Sequence, residues 1–138
     1  MFAAAFLAVA LLLVPVAFAA KGAGGSKPGG GGSGGSGSLS LVMVTDAGTP
    51  GVSYGDTVTF NVSTSASYPS VQLVCYQNGT LVFAQSAGFF PTYVWSKDFT
   101  LSGSRWAGGA ANCTATLYYT TKNGTNTTLA SLSFTASA

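Results

Sequence analysis

An all-β, antiparallel β-sandwich of about seven short strands is the fold class this sequence predicts, and three observations predict it. From residue 39 onward, apolar and polar residues alternate in short runs bounded by turn residues. Two Asn-Gly pairs, Asn78-Gly79 and Asn123-Gly124, each separate two such runs. No stretch of this region carries apolar residues at the 3.6-residue spacing of an amphipathic helix.

Taken in order, the first segment stands outside the fold. Residues 2–20 carry no charge, Phe6 to Val14 form an apolar run, and Pro15 interrupts it. Ala17-Phe18-Ala19 then places small residues where signal peptidase needs them, so residues 1–19 read as a signal peptide cleaved after Ala19. The segment before the apolar run lacks Lys and Arg, and a stretch of this length also suffices to cross a bilayer. An uncleaved anchor is therefore the competing reading, and membrane association is expected only in that case. Residues 20–38 are mostly Gly and Ser and read as a disordered linker reaching about 20–25 Å. No strand precedes this tract and no Gly-Lys-Ser/Thr follows it, so it is no phosphate loop. A linker with nothing at its far end favours the anchored alternative. Residues 39–138 remain as one small domain.

Within that domain seven strands are expected, over residues 39–43, 56–63, 70–77, 80–85, 95–101, 112–122 and 125–136. The second alternates cleanly, with Val58, Phe60 and Val62 on one face against Thr57, Thr59, Asn61 and Ser63. A two-residue type I′ turn at each Asn-Gly fixes the register of its hairpin. In the second hairpin Lys122 then faces Thr125, and counting back pairs Leu117 with Ala130, Ala115 with Leu132 and Cys113 with Phe134. In the first, Gln77 faces Thr80, Cys75 faces Val82 and Leu73 faces Ala84. Both cysteines fall on apolar, inward faces. In an exported chain the two are read as a Cys75–Cys113 disulfide; a zinc site lacks its other ligands.

Val71-Gln72-Leu73-Val74-Cys75-Tyr76-Gln77-Asn78-Gly79-Thr80-Leu81-Val82 resembles strands C and C′ of an immunoglobulin-like domain. Asn112-Cys113-Thr114-Ala115-Thr116-Leu117-Tyr118-Tyr119 resembles strand F, and residues 127–136 resemble strand G. The likeness covers the whole of residues 39–138 and is of the kind found in small secreted bacterial, including actinobacterial, proteins. It implies an immunoglobulin-like antiparallel β-sandwich. It also implies a disulfide across neighbouring strands of one sheet, because C and F are neighbours. Antibody-type domains differ, since Phe60 stands where strand B would carry its cysteine and Cys75 where strand C would carry tryptophan.

Charged residues make up only 6% of the chain and histidine is absent. In residues 39–138, Lys97, Arg105 and Lys122 balance Asp46, Asp56 and Asp98, so the basic face that nucleic-acid binding needs is missing. The acids lie in separate segments and no base accompanies the serines, so no catalytic residues, metal ligands or cofactor are expected. N-x-S/T sequons start at Asn61, Asn78, Asn112, Asn123 and Asn126.

The predicted register sends Val74, Tyr76, Leu81, Phe83, Tyr118 and Leu129 outward from the strand C′-C-F-G sheet as a candidate binding face. Three readings of it compete. The segment from Gly88 to Tyr93 folds over it; it binds protein or a second copy; or it is a glycan platform with Tyr76 and Tyr118 stacking on sugar. Trp95 shares phase with Phe99 and Leu101 and is expected in the core, and Trp106 is expected to plug a corner. Arg105 is either a surface cation or a recognition residue. The chain is thus expected to be a secreted or surface-displayed, non-catalytic binding or adhesion module. Its partner is a protein or a cell-surface glycan, and a carbohydrate-binding module is the alternative.

Overall fold

The computed structural model describes residues 35–46 and 48–138. The segment read as a signal peptide (1–19) and most of that read as a linker (20–38) lie outside the described residues. Seven strands form two antiparallel sheets: β1 (Gly37–Thr45), β2 (Thr57–Thr64), β3 (Ser70–Gln77), β4 (Thr80–Gly88), β5 (Phe99–Thr100), β6 (Ala111–Thr120) and β7 (Asn126–Ala136). One sheet has the order β1-β2-β5 and the other β4-β3-β6-β7. The result is a β-sandwich-like fold, and no helix occurs among the described residues.

Alternation decides what the sheets bury. Val58 and Phe60 of β2 and Phe99 of β5 enter the core from one sheet. Val71, Leu73 and Cys75 of β3, with Cys113, Ala115 and Leu117 of β6, enter it from the other. Phe60 meets Phe99 edge to face at 5.5 Å. Each such Val, Leu or Phe contributes about 1.5–3 kcal/mol by leaving water. Cys75 lies directly opposite Cys113, and the two form a disulfide across β3 and β6.

The two Asn-Gly turns differ. Asn78 and Gly79 have φ of 49° and 79°, as a type I′ turn requires. In the second hairpin Gly124 has φ of 80° and Asn123 has no positive φ. The Gly124 N–H bonds the Thr121 carbonyl at 2.9 Å, which makes a three-residue loop ending on a left-handed glycine. That loop sets Tyr118 opposite Thr128 rather than Leu129. A bulge at Leu129 then restores the register, and Leu117–Ala130, Ala115–Leu132 and Cys113–Phe134 pair as expected. In the first hairpin a bulge at Val82 shifts the pairs beyond the turn. Cys75 faces Phe83 instead of Val82, and Leu73 faces Gln85 instead of Ala84.

Three further expectations are corrected. β1 starts at Gly37 and pairs it with Thr64, inside the segment read as linker. A Cβ on Gly37 would meet Leu117 Cδ2 and Leu129 Cβ at 2.9 Å, so this glycine permits β1 to cross the other sheet closely. β5 is only two residues long, because side chains satisfy the main chain ahead of it. Thr59 Oγ1 donates to the Lys97 carbonyl at 2.8 Å and Gln85 Nε2 to the Asp98 carbonyl at 3.0 Å. Trp95, expected in the core, is consequently outside the ladder and 72% exposed. Trp106 does fill a corner: it is buried, its Nε1–H bonds the Gly109 carbonyl at 3.1 Å, and Tyr54 meets it edge to face.

Candidate binding surface

The bulges redistribute the residues of the predicted face. Phe83 pairs with Cys75, and both Phe83 and Leu129 pack against the core cluster. Tyr76 and Leu81 are cross-strand partners, both exposed. Val74 is half-buried between Ala84 and Thr114. Tyr118, also half-buried, stands opposite Ser70, about 20 Å along β3 from Tyr76 at 3.3 Å per residue. Between them the sheet presents Gln72, Thr114, Thr116, Ser131 and Ser133, with Thr114 and Ser133 sharing a hydrogen bond at 3.2 Å. The structure therefore keeps Val74, Tyr76 and Leu81 along one stretch of the sheet and takes Phe83, Leu129 and Tyr118 away from them. All five sequon asparagines are exposed.

The segment after β4 does not run back along that sheet toward Tyr76. It leaves at the Ser70 end, where the Phe89 N–H bonds the Pro69 carbonyl at 2.8 Å. Phe90-Pro91-Thr92-Tyr93 then closes as a turn through Tyr93 N–H to Phe90 C=O at 3.0 Å, with proline at the second position, where its fixed φ suits. Phe89 points toward the core, meeting Phe60 at 6.4 Å, and the Lys97 ammonium lies 5.8 Å from its ring centre.

Outside this anchor four rings form a ladder. Tyr68, from the β2–β3 loop, meets Phe90 at 5.3 Å; Phe90 meets Tyr93 at 5.5 Å; Tyr93 meets Trp95 at 5.4 Å. All three contacts are edge to face, the arrangement the ring quadrupoles favour. The middle rings are half-buried, whereas Tyr68 is 68%, Trp95 72% and the intervening Val94 81% exposed. Gly88 makes room for this stack. A Cβ there would lie 2.5 Å from Phe90 Cε1 and from Tyr93 Cδ2, both rigid ring atoms.

Tyr68 also borders a shallow cleft of about 340 Å³ with Tyr119 of β6, Ser65, Ser67 and Thr120. Its lining contains no charged side chain. Ala66, in the lining, donates its N–H to Thr64 Oγ1 at 3.1 Å, and that hydroxyl donates to the carbonyl of Ser36, just before β1, at 2.8 Å.

The carboxylates take local roles elsewhere. Asp46 Oδ1 accepts from Gly48 N–H, and buried Asp56 accepts from Ser53 N–H, each at 2.7 Å. Among the described residues no group of three or more His, Cys, Asp or Glu could hold a metal ion, and no helix is long and apolar enough to cross a membrane. Comparison with family models, curated proteins and solved structures finds no match for the chain.

A segment from Gly88 to Tyr93 folded over the sheet is one of the three readings the sequence offers, Trp95 reads as core, and Tyr68 carries no pattern of its own. One local signal was present. Pro91 behind two phenylalanines marks a turn, and a turn between aromatic residues brings them together in space.

Proposed function

We propose that this chain is an exported, non-catalytic binding or adhesion module of immunoglobulin-like type, and that it binds through the aromatic end of the sandwich. The observation that carries the reading is the ladder ending in Tyr68 and Trp95. Exposed tyrosine and tryptophan contribute large contact area at low entropic cost and dominate binding energies where they become buried. Here they stand on loops held by a rigid scaffold, the usual location of recognition residues.

The sheet orders support the immunoglobulin-like assignment. With β3, β4, β6 and β7 taken as strands C, C′, F and G, the larger sheet runs C′-C-F-G and β1, β2 and β5 fall as A, B and E. The buried disulfide supports passage through an oxidising compartment, in keeping with the leader. Having no His and no Glu, the chain offers few groups for acid–base chemistry.

The test is a Tyr68→Ser, Trp95→Ser double variant, compared with wild type for retention on the surface of the source cells. Near-UV circular dichroism establishes that the fold persists. Loss of retention in the double variant, with Tyr76→Ser unaffected, is the expected result. Unchanged retention of a folded double variant removes the aromatic end as the binding surface.

A further inference from the structure

We propose that the Tyr68–Tyr119 cleft and the adjoining ladder form a subsite for a neutral saccharide unit within a longer glycan. The inference rests on the binding-module reading and names the class of ligand for that surface.

The chemistry of the lining selects the ligand. Tyr68 and Tyr119 line the cleft with aromatic rings, and Ser65, Ser67 and Thr120 add hydroxyl groups, that of Thr120 donating to Asn126 Oδ1 at 2.8 Å and so left to accept. A pyranose has the matching pattern, with a C–H face that lies against an aromatic ring and a rim of hydroxyls that both donate and accept. Serine hydroxyls also donate and accept, so Ser65 and Ser67 meet that rim without a fixed polarity, while Thr120 meets it as an acceptor. An anionic ligand would call for Lys or Arg, and the lining has neither. A purely apolar ligand would leave the Ser65 and Ser67 hydroxyls unpaired as it displaced their water. The cleft volume, about 340 Å³, falls at the small end of the roughly 300–1,000 Å³ range of small-molecule sites, enough for a short piece of a chain and not for a large cofactor.

Position adds a second argument. Tyr68 belongs to both features, since it lines the cleft and also begins the ladder. The rings beyond Tyr68 are thus the surface that neighbours the cleft, available to a further unit of a glycan seated there. A shallow depression adjoins the cleft through Ser65 and adds the hydroxyls of Ser36, Ser38 and Ser63, that of Thr64 being taken up by the Ser36 carbonyl and the Ala66 N–H. Such an open, hydroxyl-rich track suits a linear, uncharged polymer.

The test titrates the isotope-labelled chain, leader removed, with neutral oligosaccharides of the β-1,4-glucan, chitin, α-mannan and arabinogalactan classes, followed by amide chemical shifts. The expected result is that at least one of them moves the amides of residues 65–68, 119 and 120. Tyr68→Ala is expected to weaken that binding about tenfold or more, equivalent to roughly 1.4 kcal/mol, while Tyr76→Ala leaves it unchanged. If none of the four classes perturbs these amides at about 10 mM, ten times a 1 mM Kd, the saccharide assignment is overturned. Cell-surface retention separates this failure from failure of the binding reading. Retention that survives periodate but is lost after protease treatment of the cells, and still depends on Tyr68 and Trp95, leaves a binding module whose partner is a protein. Retention indifferent to Tyr68 and Trp95 overturns both.

Discussion

Reducing the Cys75–Cys113 bond is expected to remove about 4 kcal/mol of stability. The two residues are 38 apart in sequence, and the chain-entropy relation for a loop of that length gives about 13 cal/mol/K, or about 4 kcal/mol at 25 °C. Both cysteines are at most 1% exposed, so reductant reaches the bond only when the sandwich opens. Reduction is therefore done in urea and the chain refolded in the presence of dithiothreitol. Urea titration of the oxidised and reduced forms, followed by tryptophan fluorescence, measures the difference. With m of about 1–2 kcal/mol/M for a small domain, the midpoint should fall by about 2–4 M. Near-complete resistance of the native disulfide to dithiothreitol without urea is the accompanying expectation. A shift below about 1 M would show that the denatured chain is already restricted in this loop. Easy reduction without urea would contradict the burial of the bond.

Three other perturbations follow from particular contacts. Gly88→Ala places a methyl against the rings of Phe90 and Tyr93 and should cost about 1–3 kcal/mol in thermal or chemical unfolding, with the near-UV signal of the ladder changed; an unchanged spectrum and midpoint would mean that the rings are not stacked over this residue. Gly37→Ala should cost a similar amount, because Leu117 is fully buried and Leu129 Cβ cannot swing away. A purely linker glycine would instead leave the unfolding midpoint unchanged within about 0.5 kcal/mol. Asp56→Ala removes the buried acceptor of the Ser53 N–H and should cost about 1.5–3 kcal/mol, partly recovered in Asp56→Asn, as read by urea midpoints.

The two-residue period made most of the core legible. Val58, Phe60, Leu73, Cys75, Cys113, Ala115 and Leu117 all point inward, as the alternation requires. Register was harder, because turn chemistry sets it and bulges then alter it. In the second hairpin Lys122 does not face Thr125, because Thr121 does, yet the pairs Leu117–Ala130, Ala115–Leu132 and Cys113–Phe134 hold. The loop is one residue longer than supposed, and Leu129 compensates. In the first hairpin the turn is as expected and the bulge is not. Val82 and Phe83 are both apolar, so either can face inward, and alternation has no preference between them. The aromatic end was the least legible part. Its rings come from two loops, where no period applies, and Trp95 lies in phase with Phe99 only if the strand continues. Hydrogen bonds from Thr59 and Gln85 to the carbonyls of Lys97 and Asp98, which no local pattern announces, end it.

The bulges also bear on how copies of this chain stay apart. With 6% charged residues and a net charge of +2, electrostatic repulsion between molecules is weak. An unbroken edge strand would then be an open template for another copy to extend the sheet. Three of the four edges are interrupted at one point and the fourth is very short. β4 carries its extra residue at Val82, β7 at Leu129 and β1 at Val44, and β5 is two residues long. Where charge offers little protection the bulges limit how long a regular edge each strand presents, so straightening any of the three by deleting its extra residue should raise the tendency toward fibrous assembly.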